Sequence, residues 1–161
     1  IGFGSGHGAQ LISLMLMAAG FSSFFGVGYL GDRFGGLQAL FIFSIIQTLF
    51  LGLLSIVDSL FAIYASAILF GIGYGGILPC YPLIVREYLP AQQAGRRTAV
   101  VVFCGGAGMA LGGWMGGVVF DATGGYTMAF WIGVGFNLFN LIIVGNLISR
   151  SKNQFLAEAE A

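Results

Sequence analysis

Asp32 and Arg33 lie inside the run Gly28-Tyr29-Leu30-Gly31-Asp32-Arg33-Phe34-Gly35-Gly36, an opposite-charge pair bracketed by glycines. A tight turn between two helices needs glycine for positive φ and for close backbone approach. In such a turn the Asp32 carboxylate is expected to accept from the positive N-terminus of a neighbouring helix. Arg33 is expected to pair with an acid on the same face, the alternative being an ordinary turn that carries one arginine. Further on, Gly71, Gly73 and Gly76 have G-x-G-x-x-G spacing. That spacing holds a dinucleotide only between a strand and a helix, and here both flanks are apolar. Gly73-Tyr74-Gly75 is similar to a potassium filter, but a filter needs a re-entrant loop and residues 59–85 suffice for one helix only. With Pro79 and Pro82 close by, these glycines predict a loosened helix bent where the backbone faces a cavity. A glycine-lined packing seam is the plainer alternative.

The other polar groups in apolar stretches are neutral. Gln10, Ser13 and Met17 share one helix face at i, i+3 and i+7, and Tyr74 and Tyr81 share another, seven residues apart. A tyrosine hydroxyl orients a solute in an apolar pocket or bonds a nearby carbonyl, so these five residues are the candidates for lining a solute cavity. Gly108, Gly112 and Gly116 recur every four residues, with Gly113 and Gly117 on the adjoining strip. That small-xxx-small face lets two helix backbones approach. Asn137 and Asn140 are expected to make interhelical hydrogen bonds worth about 1 kcal/mol each. Cys80 and Cys104 are far from a Cys-x-x-Cys spacing and read as small buried hydrophobes. His7 reads as a solvated loop histidine. No paired carboxylate, His cluster or Ser/His set is visible, so no catalytic residue, metal site or cofactor is expected, and the chain does not read as an enzyme.

The elements that must position these groups follow from composition. Of 161 residues 58% are hydrophobic and 7% charged, with 28 glycines and a mean hydropathy of +0.95. Six basic and six acidic side chains cannot clothe a soluble domain of this length, since such domains carry about 25% charged residues. Disorder needs the opposite composition. Three prolines and no Gly-X-Y period exclude collagen, and a net charge of zero without a basic patch speaks against a nucleic-acid partner. The lipid bilayer is the solvent. A spanning helix needs about 20 apolar residues. Five stretches qualify: 9–30, 37–57, 59–85, 98–120 and 126–148. They are too long, and lack the alternation, for barrel strands. The second, with Gly52 as its only glycine, has a composition that suits a lipid-facing position. None of the five contains Asp, Glu, Lys or Arg, so no intramembrane proton relay is visible.

Orientation follows from charge. Arg33, Arg86, Arg96, Arg97, Arg150 and Lys152 all fall in connections on one side, and none falls on the other. Positive charge marks the cytoplasmic face. Residues 1–8 are therefore expected as an external loop and 149–161 as a cytoplasmic tail. The chain opens Ile1-Gly2-Phe3 without a methionine or a charged leader, which is expected of a piece with upstream sequence.

The turn at 28–36 resembles the loop motif G-x-L-[AG]-D-R-x-G of major facilitator superfamily transporters. Gly28, Leu30, Gly31, Asp32, Arg33 and Gly35 match it, and Gly36 stands where the family usually has a basic residue. Gly71 to Gly76, Pro79, Pro82, Gly95-Arg96-Arg97, the glycine-rich fourth span and Phe120-Asp121-Ala122-Thr123-Gly124-Gly125-Tyr126 resemble spans ten to twelve of monocarboxylate-porter-like members. The resemblance covers essentially the whole chain. It implies an all-α membrane protein whose five transmembrane helices are spans eight to twelve, most of the C-terminal six-helix bundle of that fold. The implied function is secondary active transport of a small organic solute by alternating access, in a plasma or bacterial inner membrane. The partner would be the missing N-terminal bundle of the same chain. Gly28, Asp32, Arg33 and Gly35 would form the cytoplasmic gating motif, and Gly108, Gly112 and Gly116 a seam that permits rocking. Porters of anions often carry a basic residue in the eighth span, and residues 9–30 have none. The rival expectation is a complete five-span oligomer, either a channel or a structural protein.

Overall fold

The computed structural model describes residues 5–57 and 59–159, with side chains over 7–57, 59–90 and 92–151. Residues 1–4 of the expected external segment, Asp58 and the side chains of the last ten residues lie outside that description. The chain forms α1 (Ser5–Phe21), a π-helical segment (Ser22–Gly26), α2 (Val27–Phe34), α3 (Gly36–Leu54), α4 (Leu60–Tyr88), α5 (Ala91–Thr123) and α6 (Thr127–Ala159). α1, the π segment and α2 are continuous, so five helical rods are long and apolar enough to cross a membrane. Stretches 9–30 and 98–120 fall wholly within one rod each, and 37–57, 59–85 and 126–148 each overlap one rod with one to three terminal residues outside it.

The helices overrun the apolar stretches. α1 begins at Ser5, inside the expected external loop. α5 begins seven residues before Thr98, and α6 continues past Ile148. Backbone hydrogen bonding stops where a breaker stands, not where apolarity ends. Pro90 holds Leu89 extended (φ −128°, ψ 148°) and so ends α4. Gly35, at φ 85°, separates α2 from α3, and Gly124, left-handed at φ 71°, closes α5 with its N–H on the Phe120 carbonyl.

α4 is the axis of the bundle, with α1 and α3 packed on it at contact distance. A methyl group at Gly71 would collide with the Met15 carbonyl, and one at Gly75 with the Ala19 carbonyl. At Gly73 it would come within 2.6 Å of the Gln47 backbone nitrogen, and at Gly76 it would enter the Phe43 ring. The α4 glycines are therefore a packing seam. The glycines and prolines do not unwind it: α4 stays helical through both Pro79 and Pro82. The reason is local: Pro79 lacks the N–H that would bond the carbonyl four residues back, that of Gly75. The Ser23 hydroxyl, in the π segment, donates to that same oxygen at 2.6 Å, and a serine can satisfy such a freed carbonyl inside lipid.

The core gathers Val27, Leu37, Ala39, Leu40, Phe43, Cys80 and Val144. Four of these lie on α3, so the helix whose composition suggested a lipid-facing position has one face at the centre of the bundle. Leu49 and Leu53 on its other face are exposed. α6 packs on α3, while α5 touches only α4 and α6 and buries none of its described residues.

Candidate solute-binding site

A cleft of about 400 Å³ opens between α3, α4, α5 and α6. Its polar lining is Gln47, Tyr74, Tyr81 and Asn137, set among Ile77, Leu78, Met109 and Phe136. Gln47, Tyr74, Met109 and Asn137 each lie near the middle of their membrane-length span, so the cleft sits near mid-depth of the bundle. The α4 seam aims Tyr74. With Gly73 on α3 and Gly75 on α1, about 100° apart on either side, the intervening side chain turns towards α5. There its hydroxyl donates to the Met109 sulfur at 3.4 Å, and its ring stacks on Phe70 with centroids 6.1 Å apart. Gly105, Gly108 and Gly133 leave the room on the α5 and α6 walls.

The floor is an amide pair. Asn137 Nδ2 donates to Gln47 Oε1 at 2.9 Å, and one turn on Asn140 Nδ2 donates to the Ser44 hydroxyl at 3.2 Å. Both asparagines thus make the interhelical bonds expected of them. Gln47 went unnoticed in the sequence, although Ser44, Gln47 and Thr48 form a polar strip at i, i+3 and i+4 on an otherwise apolar helix.

Of the five cavity candidates, the structure brings Tyr74 and Tyr81 into this cleft and leaves three outside it. Gln10 accepts from the Tyr64 hydroxyl at 2.9 Å near the other end of the bundle. Ser13 is spent on its own helix, on the Ala9 carbonyl, and Met17 is 72% exposed. His7 is not merely solvated. Its Nδ1 lies 3.1 Å from the Tyr64 oxygen, and since that hydroxyl already donates to Gln10, the imidazole N–H donates to it.

At the arginine-bearing end, Gly35 makes the turn that the motif requires, while a side chain at Gly28 would meet nothing within 4 Å. The carboxylate at the N-terminus of α3 is that of Glu87, not Asp32: the Gly36 N–H donates to its two oxygens at 2.9 and 3.1 Å. This anchors the turn on α4 and leaves Asp32 exposed. Among the described residues Arg33 pairs with no acid. It donates to the Tyr29 hydroxyl at 2.7 Å, and its guanidinium lies 6.0 and 5.6 Å from the Tyr29 and Phe34 ring centroids. Tyr88 and Ser151 hydroxyls, 3.2 Å apart, join α4 to α6 at the same end.

Among the described residues the Gly108, Gly112 and Gly116 face meets nothing, for a Cβ at any of them would find no atom within 4 Å. It forms the wall of a second, apolar cavity of about 770 Å³ between α5 and α6, which shares Gly108, Gly133 and Phe136 with the cleft.

Among families, the model described as Major Facilitator Superfamily matches residues 2–159. Neither the curated proteins nor the solved structures gave a match to this chain.

Proposed function

The chain belongs to the major facilitator superfamily, a family of transporters, and from that premise we propose that it forms spans eight to twelve, most of the C-terminal bundle, of a secondary carrier. The carrier moves a small organic solute by alternating access, with the N-terminal bundle of the same chain as the other wall of its path. The observation that carries this reading is the mid-depth cleft holding Tyr74 and Tyr81, since solute sites of such carriers lie near the bilayer midplane. Support for the C-terminal assignment comes from the motif at 28–36 and from the monocarboxylate-porter-like run from Gly71 to Tyr126. Arginine confined to one end supports a cytoplasmic tail and a plasma or bacterial inner membrane.

In this reading the turn is a gate. Glu87 fixes its backbone, and Asp32 and Arg33 are presented outward to whatever closes on the cytoplasmic side. The test is solute counterflow into proteoliposomes containing the full protein. Saturable uptake is expected, and Asp32→Asn should slow it several-fold with no loss of membrane insertion. Wild-type rates in that variant would remove the gating role. Ohmic ion currents beyond any carrier turnover, in place of uptake, would favour the five-span channel.

A further inference from the structure

Gln47 and Asn137 face the same cleft from α3 and α6, and valence counting on their mutual bond leaves a defined pattern open. Gln47 spends only its carbonyl oxygen, as acceptor from Asn137 Nδ2. Among the described residues both N–H bonds of the Gln47 amide and the Asn137 carbonyl oxygen make no hydrogen bond, so the pair presents donor and acceptor side by side. Exchanging O and N in both amides gives the same pattern with the residues' roles reversed. Above it stand Tyr74, Tyr81 and Phe136, whose rings suit a flat body. None of the residues lining the cleft carries a formal charge, and an anion lodged here would lose its hydration without a counter-charge.

We infer that this cleft lodges an uncharged, planar carboxamide or lactam edge of the solute, read by the Gln47–Asn137 pair, and that it discriminates against the carboxylate of the same shape. The solute's carbonyl accepts from the Gln47 amide and its N–H donates to the Asn137 carbonyl, while its ring lies against Tyr74 and Phe136. This rests on the carrier reading for what the site is used for, but the binding itself is separable from transport. A site whose buried polar groups are matched by one ligand rejects an isostere that leaves them unpaired.

The experiment is equilibrium binding of radiolabelled benzamide and benzoate to the full protein in lipid nanodiscs, with empty nanodiscs subtracted. Benzamide is expected to bind saturably and benzoate at least tenfold more weakly. Gln47→Glu keeps an oxygen to accept from Asn137, and with it the α3–α6 link, but removes the amide donors. It should cut benzamide binding at least tenfold while the protein still elutes as one helical species. Gln47→Leu should lose the discrimination as well. Equal or tighter benzoate binding, no saturable benzamide binding, or Gln47→Glu behaving as wild type would each overturn the inference and make the pair a structural bond only. Uptake of any solute into proteoliposomes judges the carrier separately. Amide-selective binding without uptake of benzamide or any other solute would sink the carrier and keep the subsite, and uptake with unselective binding would do the reverse.

Discussion

Two helices of this bundle carry glycines four residues apart, and the fold uses them in opposite ways. On α4, Gly71 and Gly75 receive the backbone of α1, and Gly73 and Gly76 receive α3, so tightly that no side chain fits. On α5, Gly108, Gly112 and Gly116 look onto an open apolar hollow. Gly71 and Gly75 have the same four-residue spacing as the α5 ladder, and burial is not the same. Small residues permit close approach, but the partner is supplied by topology. α4 is flanked on both sides within the chain, whereas α5 leans on neighbours along a different strip. Hence one glycine ladder welds the bundle, and the other stays open.

The sharpest way to break the comparison is to fill each ladder. Gly75→Val places a branched side chain against the Ala19 backbone, which is not the end of a flexible side chain and cannot step aside. Overpacking of this kind costs about 1–3 kcal/mol, and a rigid backbone neighbour puts it at the upper end. SDS-induced unfolding should begin at clearly lower detergent fraction than for the wild type. A wild-type unfolding curve would mean that α1 does not sit where the structure has it.

A smaller effect tests how the welded side tolerates its proline. Ser23 donates to the Gly75 carbonyl that Pro79 leaves free. Ser23→Ala should cost about 1–2 kcal/mol, the range for a buried acceptor left unsatisfied. In a Pro79→Ala background the backbone N–H returns and the serine becomes dispensable, so the cost of Ser23→Ala should shrink to a few tenths. An undiminished cost in that background would show that the serine acts through packing and not through the carbonyl. The double-mutant cycle isolates the pair.

Much of this was legible in the chain. Five apolar runs give five rods, because in lipid a backbone has few alternatives to the helix, and Gly35, Leu89-Pro90 and Gly124 set three of their ends, beyond the bounds that apolarity gave. Tyr74 and Tyr81 were readable as a pair because seven residues is two helical turns. What escaped was whatever depends on which helices meet. Gln47 drew no notice on a helix whose composition suited lipid, and only α6 bringing Asn137 to it gives it a partner. Glu87 took the place on the α3 N-terminus that sequence proximity suggested for Asp32, since the nearest acid in space came from the end of α4. Gln10, Ser13 and Met17 share a face, but that face does not line the cleft. Periodicity identifies faces and leaves their neighbours open.

The least effect on stability is expected where the ladder is open, and it is the most informative. Gly112→Val adds a side chain to a position with no atom within 4 Å of its Cβ. Valine, though β-branched, is a better helix former than the glycine it replaces, so the unfolding curve should move by no more than about 0.5 kcal/mol, in the stabilising direction. If this face receives the other bundle of the carrier, the same substitution should nevertheless abolish counterflow, because a surface that must approach another backbone closely in one state cannot carry a branched side chain. Stability and transport then separate in this variant, while in Gly75→Val they fall together. Unfolding as severe as that of Gly75→Val would mean that α5 is packed on its glycines within this chain. Unchanged counterflow would turn the glycine face to lipid and move the rocking surface to another helix.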